Sequence, residues 1–209
     1  LQQIVEGGRV EVPEPVVMDG RHGSDASPAG FARRVWASED GSMPITELPS
    51  GIHLCHEAFG DPADPVVLLM HGLGSQLLLW EEGFCDGLGA EGFRVVRYDH
   101  RDSGCSTILE EGSAYTLSDQ VADAVGLLDH LGVPDAHVVG LSMGGMIGQA
   151  TALENSSRFD SISLCDTSSR LPLEALPIWE ERIVTVQSEG IDAMVESTIE
   201  RWFSRAFQE

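Results

Sequence analysis

The chain has 209 residues, 42% of them hydrophobic and 22% charged, enough for one domain with a sizeable core. Thirty-four acidic residues face twelve basic ones, all of them arginine, for a formal charge of −22. Such a surface repels nucleic acid and anionic membranes, which recruit through clustered Lys and Arg, and this argues against both as partners. A coding bias against lysine codons and a salt-adapted host both produce this balance.

Residues 1–42 mix Gly, Pro, Ser and charge without sustained periodicity, which predicts a poorly ordered N-terminal extension. The texture changes at Met43, which reads as a natural start with an adventitious segment before it. Leu1-Gln2-Gln3 opens neither a basic n-region nor an apolar h-region, and no apolar run reaches the roughly 20 residues of a membrane span. The four cysteines (Cys55, Cys85, Cys105 and Cys165) form no CxxC pair and no metal-ligand spacing. They read as small residues in a reduced compartment, so the expected location is cytoplasmic.

From Ile45 to Gly60 the sequence alternates like a strand pair broken at Pro49-Ser50-Gly51. Val66 to Met70 is a continuous apolar run, the mark of a strand buried on both faces. Gln76 to Ala90 is long enough for a helix, and Arg94 to Tyr98 reads as the next strand. Leu117, Val121, Ala124, Val125, Leu128 and Leu131 recur at helical spacing behind a Thr116/Asp119 capping box, with Gly132 and Pro134 as the stop. His137 to Gly140 is a further buried strand, Met143 to Leu153 a helix, and Ile162 to Cys165 the last strand. Strands and helices alternating at this spacing predict an α/β fold, a mostly parallel sheet with helices on both faces. After Asp166 the alternation stops. Leu176, Trp179, Ile183 and Val186 mark one amphipathic helix, and Ile191, Met194, Val195, Ile199, Trp202 and Phe203 a second, with Gly190 between. The division expected is a core over 43–170 and the start of a helical cap over 171–209, with Trp179 and Trp202 seating the cap helices rather than lining a pocket.

Gly140-Leu141-Ser142-Met143-Gly144 is a G-x-S-x-G between a predicted strand and a predicted helix, the context a nucleophile elbow requires. A serine at that sharp turn presents its hydroxyl above the sheet edge, and small residues at 140 and 144 let neighbouring backbone pass close. His71-Gly72-Leu73-Gly74-Ser75 directly follows a buried strand. The N–H groups of Leu73 and Met143 are candidates to hold an oxyanion, each such donor being worth about 3 kcal/mol in the transition state. His71 reads as a brace for this loop rather than a base. The third loop runs Asp99-His100-Arg101-Asp102-Ser103-Gly104-Cys105-Ser106 and suits anchoring by side-chain hydrogen bonds. Cys105 has no accompanying His/Asn motif that would make it a nucleophile.

These three motifs, in this order and spacing, resemble the α/β-hydrolase family, over Ile45 to about Phe207. The resemblance implies an α/β-hydrolase fold with Ser142 as nucleophile and Leu73 and Met143 as oxyanion-hole positions. The family often shows D-x-R-G-x-G-x-S in the third loop, where this chain has Asp102 for the first glycine. Gly140 to Gln149, Cys165 to Ser169, Trp179 to Ile183 and Glu200 to Phe203 are more narrowly similar to the 3-oxoadipate enol-lactonase and carboxylesterase branch.

A serine hydrolase also needs a histidine and an orienting acid, which in this family follow the serine. The histidines stand at 22, 53, 56, 71, 100, 130 and 137, and none follows Ser142. Asp166 ends the last predicted strand, where some hydrolases carry the acid; its other reading is a loop-capping aspartate. The expectation is therefore a C-terminally truncated enzyme that exposes apolar sheet edge and cap surface, since loss of a triad member lowers rates by about 10⁴-fold. The implied function is hydrolysis of small carboxylic esters or enol-lactones through an acyl-enzyme on Ser142. No metal or organic cofactor is implied, the only implied partner is the small-molecule substrate, and the oligomeric state is left open. The alternatives are a cofactor-free haloperoxidase-like or C–C bond hydrolase on the same fold, and a non-catalytic binding module or inactive fragment.

Overall fold

Alternating side chains of the central strands fill two separate apolar layers, and this is what fixes the architecture. In the computed structural model, residues 43–110, 113–170 and 173–208 are described; the proposed N-terminal extension over 1–42 lies outside them. Six strands, β1 (Ile45–Glu47), β2 (His53–Phe59), β3 (Val66–Met70), β4 (Arg94–Tyr98), β5 (Ala136–Leu141) and β6 (Phe159–Cys165), form one sheet in the order β1-β2-β4-β3-β5-β6. β1 and β2 pair antiparallel, as does β2 with β4, whereas β4, β3, β5 and β6 run parallel. The strand pair expected before residue 60 and the parallel series after it are both present.

Val66, Leu68 and Met70 of β3 face one layer with Val96 and Tyr98 of β4 and Val138 of β5. That layer is closed by helix α2 (Leu117–His130) through Val121, Ala124, Leu127 and Leu128, and by α3 (Met143–Glu154) through Ile147. Val67, Leu69 and Val95 face the other way, against Cys85 and Leu88 of helix α1 (Glu82–Ala90). The period of two along each strand thus builds helices onto both faces, each fully buried aliphatic side chain contributing about 1.5–3 kcal/mol.

Helix α2 starts on the Thr116/Asp119 capping box, where the Asp119 N–H donates to Thr116 Oγ1 and the Thr116 N–H donates to Asp119 Oδ2. It ends at Gly132, whose φ of +66° is the left-handed turn a glycine takes cheaply. The single helix expected over Gln76 to Ala90 is instead a 3-10 turn at Leu77–Leu79 followed by α1. The interruption falls at Trp80, whose carbonyl accepts the Arg97 guanidinium rather than a helical N–H.

After β6 come α4 (Leu176–Glu189), a 3-10 turn at Ile191–Met194, α5 (Val195–Trp202) and the short α6 (Arg205–Gln208). Gly190 separates the first two at φ +86°. Apolar side chains remain exposed here, including Leu164 on β6 and Ile183, Trp202 and Phe207 on the helices. Trp179 is half-buried under the Arg182 guanidinium, 4.7 Å from its ring, but Trp202 is 60% exposed and does not seat its helix. Among the described residues β6 pairs on one side only, with β5. No described helix is long and apolar enough to cross a membrane.

Candidate active site

The loops that leave β3, β4, β5 and β6 converge at the carboxyl end of the parallel strands, the end at which open α/β sheets bind ligands. Ser142 lies between β5 and α3 with φ +52° and ψ −115°. A non-glycine residue in such a conformation stores about 1–3 kcal/mol of strain, which the surroundings must over-determine. They do so through its backbone. The Ser142 N–H donates to the Cys165 carbonyl at 2.9 Å, and the Ser142 carbonyl accepts from the Gly145 and Met146 N–H groups at 3.0 and 3.2 Å. It also accepts from Thr167 Oγ1 at 2.7 Å. The Ser142 hydroxyl itself has no hydrogen-bond partner among the described residues, and the residue is exposed.

Small residues at 140 and 144 are a steric necessity. A Cβ at Gly144 would collide with the Met70 carbonyl, and one at Gly140 with the Gly144 carbonyl. The same close approach brings the loop after β3 to the serine: a Cβ on Gly72 would lie 3.3 Å from Ser142 Cβ and 3.9 Å from its Oγ. Leu73 follows directly, its side chain exposed and its N–H without an acceptor among the described residues. Met143 is the first residue of α3, where the helix leaves N–H groups unsatisfied and the dipole favours negative charge. Ser142, Leu73 and Met143 are thus brought to one edge of the sheet.

His71 braces this loop. Its Nδ1–H donates to the Gly72 carbonyl at 2.8 Å, which leaves Nε2 to accept from the His100 N–H at 3.3 Å. His100 Nε2 in turn donates to the His71 carbonyl at 3.1 Å, with the two rings 4.1 Å apart. Burial pushes both histidines down, His100 to about 3, so that both are neutral. Ser103 closes the network by donating to the Ser75 carbonyl at 3.0 Å. Below it, Asp99 is buried and accepts from the Leu77 N–H at 2.6 Å and the Cys105 N–H at 3.1 Å. Arg101 ties the same loop to α2 through a two-armed contact with Asp123, both arms at 2.7 Å. Asp102, where the family often has glycine, adopts φ +60° and accepts from the Leu109 N–H at 2.7 Å. Aspartate tolerates the left-handed region when its side chain bonds locally, so the glycine is replaceable.

Asp166 sits at φ +43° beyond β6, exposed, and its carboxylate has no hydrogen-bond partner among the described residues. It therefore caps nothing in the described structure. No described histidine hydrogen-bonds Ser142. Sequence reasoning assigns no individual role to Thr167 or Ser103, since both matter only through the carbonyls they reach. Among the described residues, one group of side chains has metal-capable donors in mutual reach: Cys55, Asp99 and Cys105. Its carboxylate is already engaged by two backbone N–H groups.

Residues 65–209 match the family described as alpha/beta hydrolase fold. The chain is 28% identical over 172 residues to 3-oxoadipate enol-lactonase 2 of Acinetobacter baylyi, covering 80% of this chain and 62% of that protein. It is 32% identical over 173 residues to rhodomycin D methylesterase DnrP of Streptomyces peucetius, covering 72% of this chain and 58% of that one. The crystal structure of the enol-lactonase from Burkholderia xenovorans LB400 superposes with a TM-score of 0.69 at 31% identity, covering 79% of this chain and 62% of that chain. A hydrolase from Pseudomonas aeruginosa PA01 gives a TM-score of 0.72 at 32% identity, with 80% and 62% covered. The chain spans about 60% of the length of these relatives. On the strength of the family match and of a sheet order and elbow that agree with it, this chain belongs to the α/β-hydrolase family.

Proposed function

We propose that this chain supplies the nucleophile and the oxyanion-binding backbone of a cytoplasmic serine hydrolase acting on a small carboxylic ester or lactone. Ser142 carries the reading: an exposed hydroxyl, without an internal partner among the described residues, on a residue held at φ +52° ahead of a helix. In this mechanism Ser142 Oγ attacks the carbonyl carbon, and the N–H groups of Leu73 and Met143 stabilise the oxyanion. The alcohol then leaves, and water cleaves the acyl-enzyme. The serine proton requires a base, and no histidine in the sequence follows Ser142. His71 does not serve, since one ring nitrogen donates to Gly72 and the other accepts from His100. The base and its orienting acid are taken to come from outside the described residues. Helices α4 and α5 are read as the beginning of a cap over the strand ends, set on a core over 43–170. An enol-lactonase and a methylesterase among the relatives favour an ester-type carbonyl as the substrate.

The test is turnover of a short-chain p-nitrophenyl ester by a form extended past residue 209 with the C-terminal segment of the longer relatives. Turnover that disappears in Ser142→Ala, with fluorophosphonate labelling of Ser142, is the expected result. Activity that survives Ser142→Ala removes the assignment. A soluble, folded extended form that binds esters without turning them over favours the binding module instead.

A further inference from the structure

Cys55 and Cys105 are 50 residues apart in sequence, yet their sulfurs lie 2.6 Å from one another. We propose that these two thiols form a reversible disulfide, with exposed Cys105 as the oxidant-reactive thiol and buried Cys55 as the one that resolves it. The inference does not depend on the role of Ser142.

The pair is held by structure on every side. Cys55 is on β2, where its carbonyl accepts the Asp99 N–H at 2.9 Å and its own N–H donates to Ser106 Oγ at 2.9 Å. The Ser106 hydroxyl then donates to the Asp99 carbonyl at 2.7 Å. Cys105 is fixed by its N–H to Asp99 Oδ2 at 3.1 Å, with its sulfur 3.7 Å from the same oxygen. The loop wraps so tightly that a Cβ on Gly104 would collide with the Asp99 carboxylate, and Gly104 takes φ +53°. Two sulfurs so placed are already within reach of one another. Burial, followed by the contact with Cys105, pushes the Cys55 thiol up, so Cys55 waits as a thiol until its partner is oxidised. The other two cysteines differ. Cys85 is on the buried face of α1, packed against the sheet, and Cys165 is exposed on the far edge of the sheet.

The oxidant is hydrogen peroxide. Cys105 sulfur attacks one peroxide oxygen, the O–O bond breaks, and the departing hydroxide takes the Cys105 thiol proton as one water, leaving a sulfenic acid. Cys55 sulfur then attacks Cys105 sulfur, the S–O bond breaks, and the hydroxide leaves as a second water with the Cys55 proton. Asp99, with an oxygen within 4.8 Å of both sulfurs, is the group positioned to relay that proton. Two thiols and one hydrogen peroxide give one disulfide and two waters, and a dithiol reverses the change. Cytoplasmic disulfides of this kind are transient and redox-sensing rather than structural. Here the bond would staple β2 to the loop whose Asp99 also holds Leu77, beside the segment that carries Leu73.

The experiment exposes the reduced 209-residue chain, and the extended form in parallel, to one equivalent of hydrogen peroxide. Intact mass and non-reducing peptide mapping follow. The proposal expects a loss of about 2 Da, a peptide joining Cys55 to Cys105, and a Tm raised by on the order of 5 °C, all reversed by dithiothreitol and absent in Cys105→Ser. Oxygen added to Cys105 while Cys55 remains a free thiol would overturn it. So would a bridge from either residue to Cys165, or a stoichiometric zinc ion in the purified protein that shields both thiols, which would make the cluster a metal site.

Discussion

The Thr167 hydroxyl donates to the Ser142 carbonyl at 2.7 Å, joining the segment after β6 to the start of α3. Thr167 thereby holds the positive-φ conformation of Ser142 through its carbonyl, as the Cys165 carbonyl holds it through its N–H. Thr167→Val keeps the shape and removes the donor. The expected outcome is a loss of about 1 kcal/mol in urea denaturation, with a larger relative fall in kcat than change in KM for the ester-hydrolysing form. A valine variant with unchanged kcat would show that the contact does not position the serine.

Ser142 should trade stability against activity. Glycine adopts φ +52° without strain, so Ser142→Gly is expected to raise unfolding free energy by about 1 kcal/mol while abolishing turnover. Ser142→Ala retains the Cβ and the strain, and is expected to be inactive without that gain. Denaturant midpoints of the two variants side by side check this.

Acid should destabilise the fold through its buried histidines. Burial, with smaller contributions from His130 and Arg94, pushes His56 from 6.5 to about 4, and its Nδ1 is buried without a partner among the described residues. Burial, then His71, pushes His100 to about 3. The unfolded chain binds protons at these positions near its ordinary value while the folded chain does not, so stability rises with pH across this interval. The contribution is complete above about pH 6.5 and is lost as pH falls towards 4 and then 3. Each histidine adds a slope of about 1.4 kcal/mol per pH unit. His56→Gln should remove one such increment between pH 6 and 5 in pH-dependent denaturation.

The Arg97–Glu57 ion pair crosses from β4 to β2 with both side chains almost fully buried, and Arg97 Nε donates to Glu57 Oε2 at 3.0 Å. Removing one member leaves a buried charge deprived of its counterpart. Arg97→Met is expected to destabilise by about 3–5 kcal/mol, whereas the double variant Arg97→Met/Glu57→Leu should recover most of the loss. Thermal melts of the singles and the double measure the coupling.

The order of strands and helices, the parallel sheet and the elbow were all legible in the residues, because a period of two, a period of three to four, a capping box and a glycine-flanked serine are local properties. The sequence by itself also determined that no histidine stands after Ser142. What it did not carry were relationships across the sheet. Trp80 breaks its helix because Arg97, seventeen residues away, reaches its carbonyl. Thr167 matters because β6 lies beside β5, so that its hydroxyl meets the Ser142 carbonyl. Cys55 and Cys105 looked unrelated at their spacing in the chain, and became neighbours once β2 paired with β4 and the following loop folded around Asp99. Local chemistry specifies elements and motifs. Only the register between strands decides which distant side chains share an ångström-scale contact.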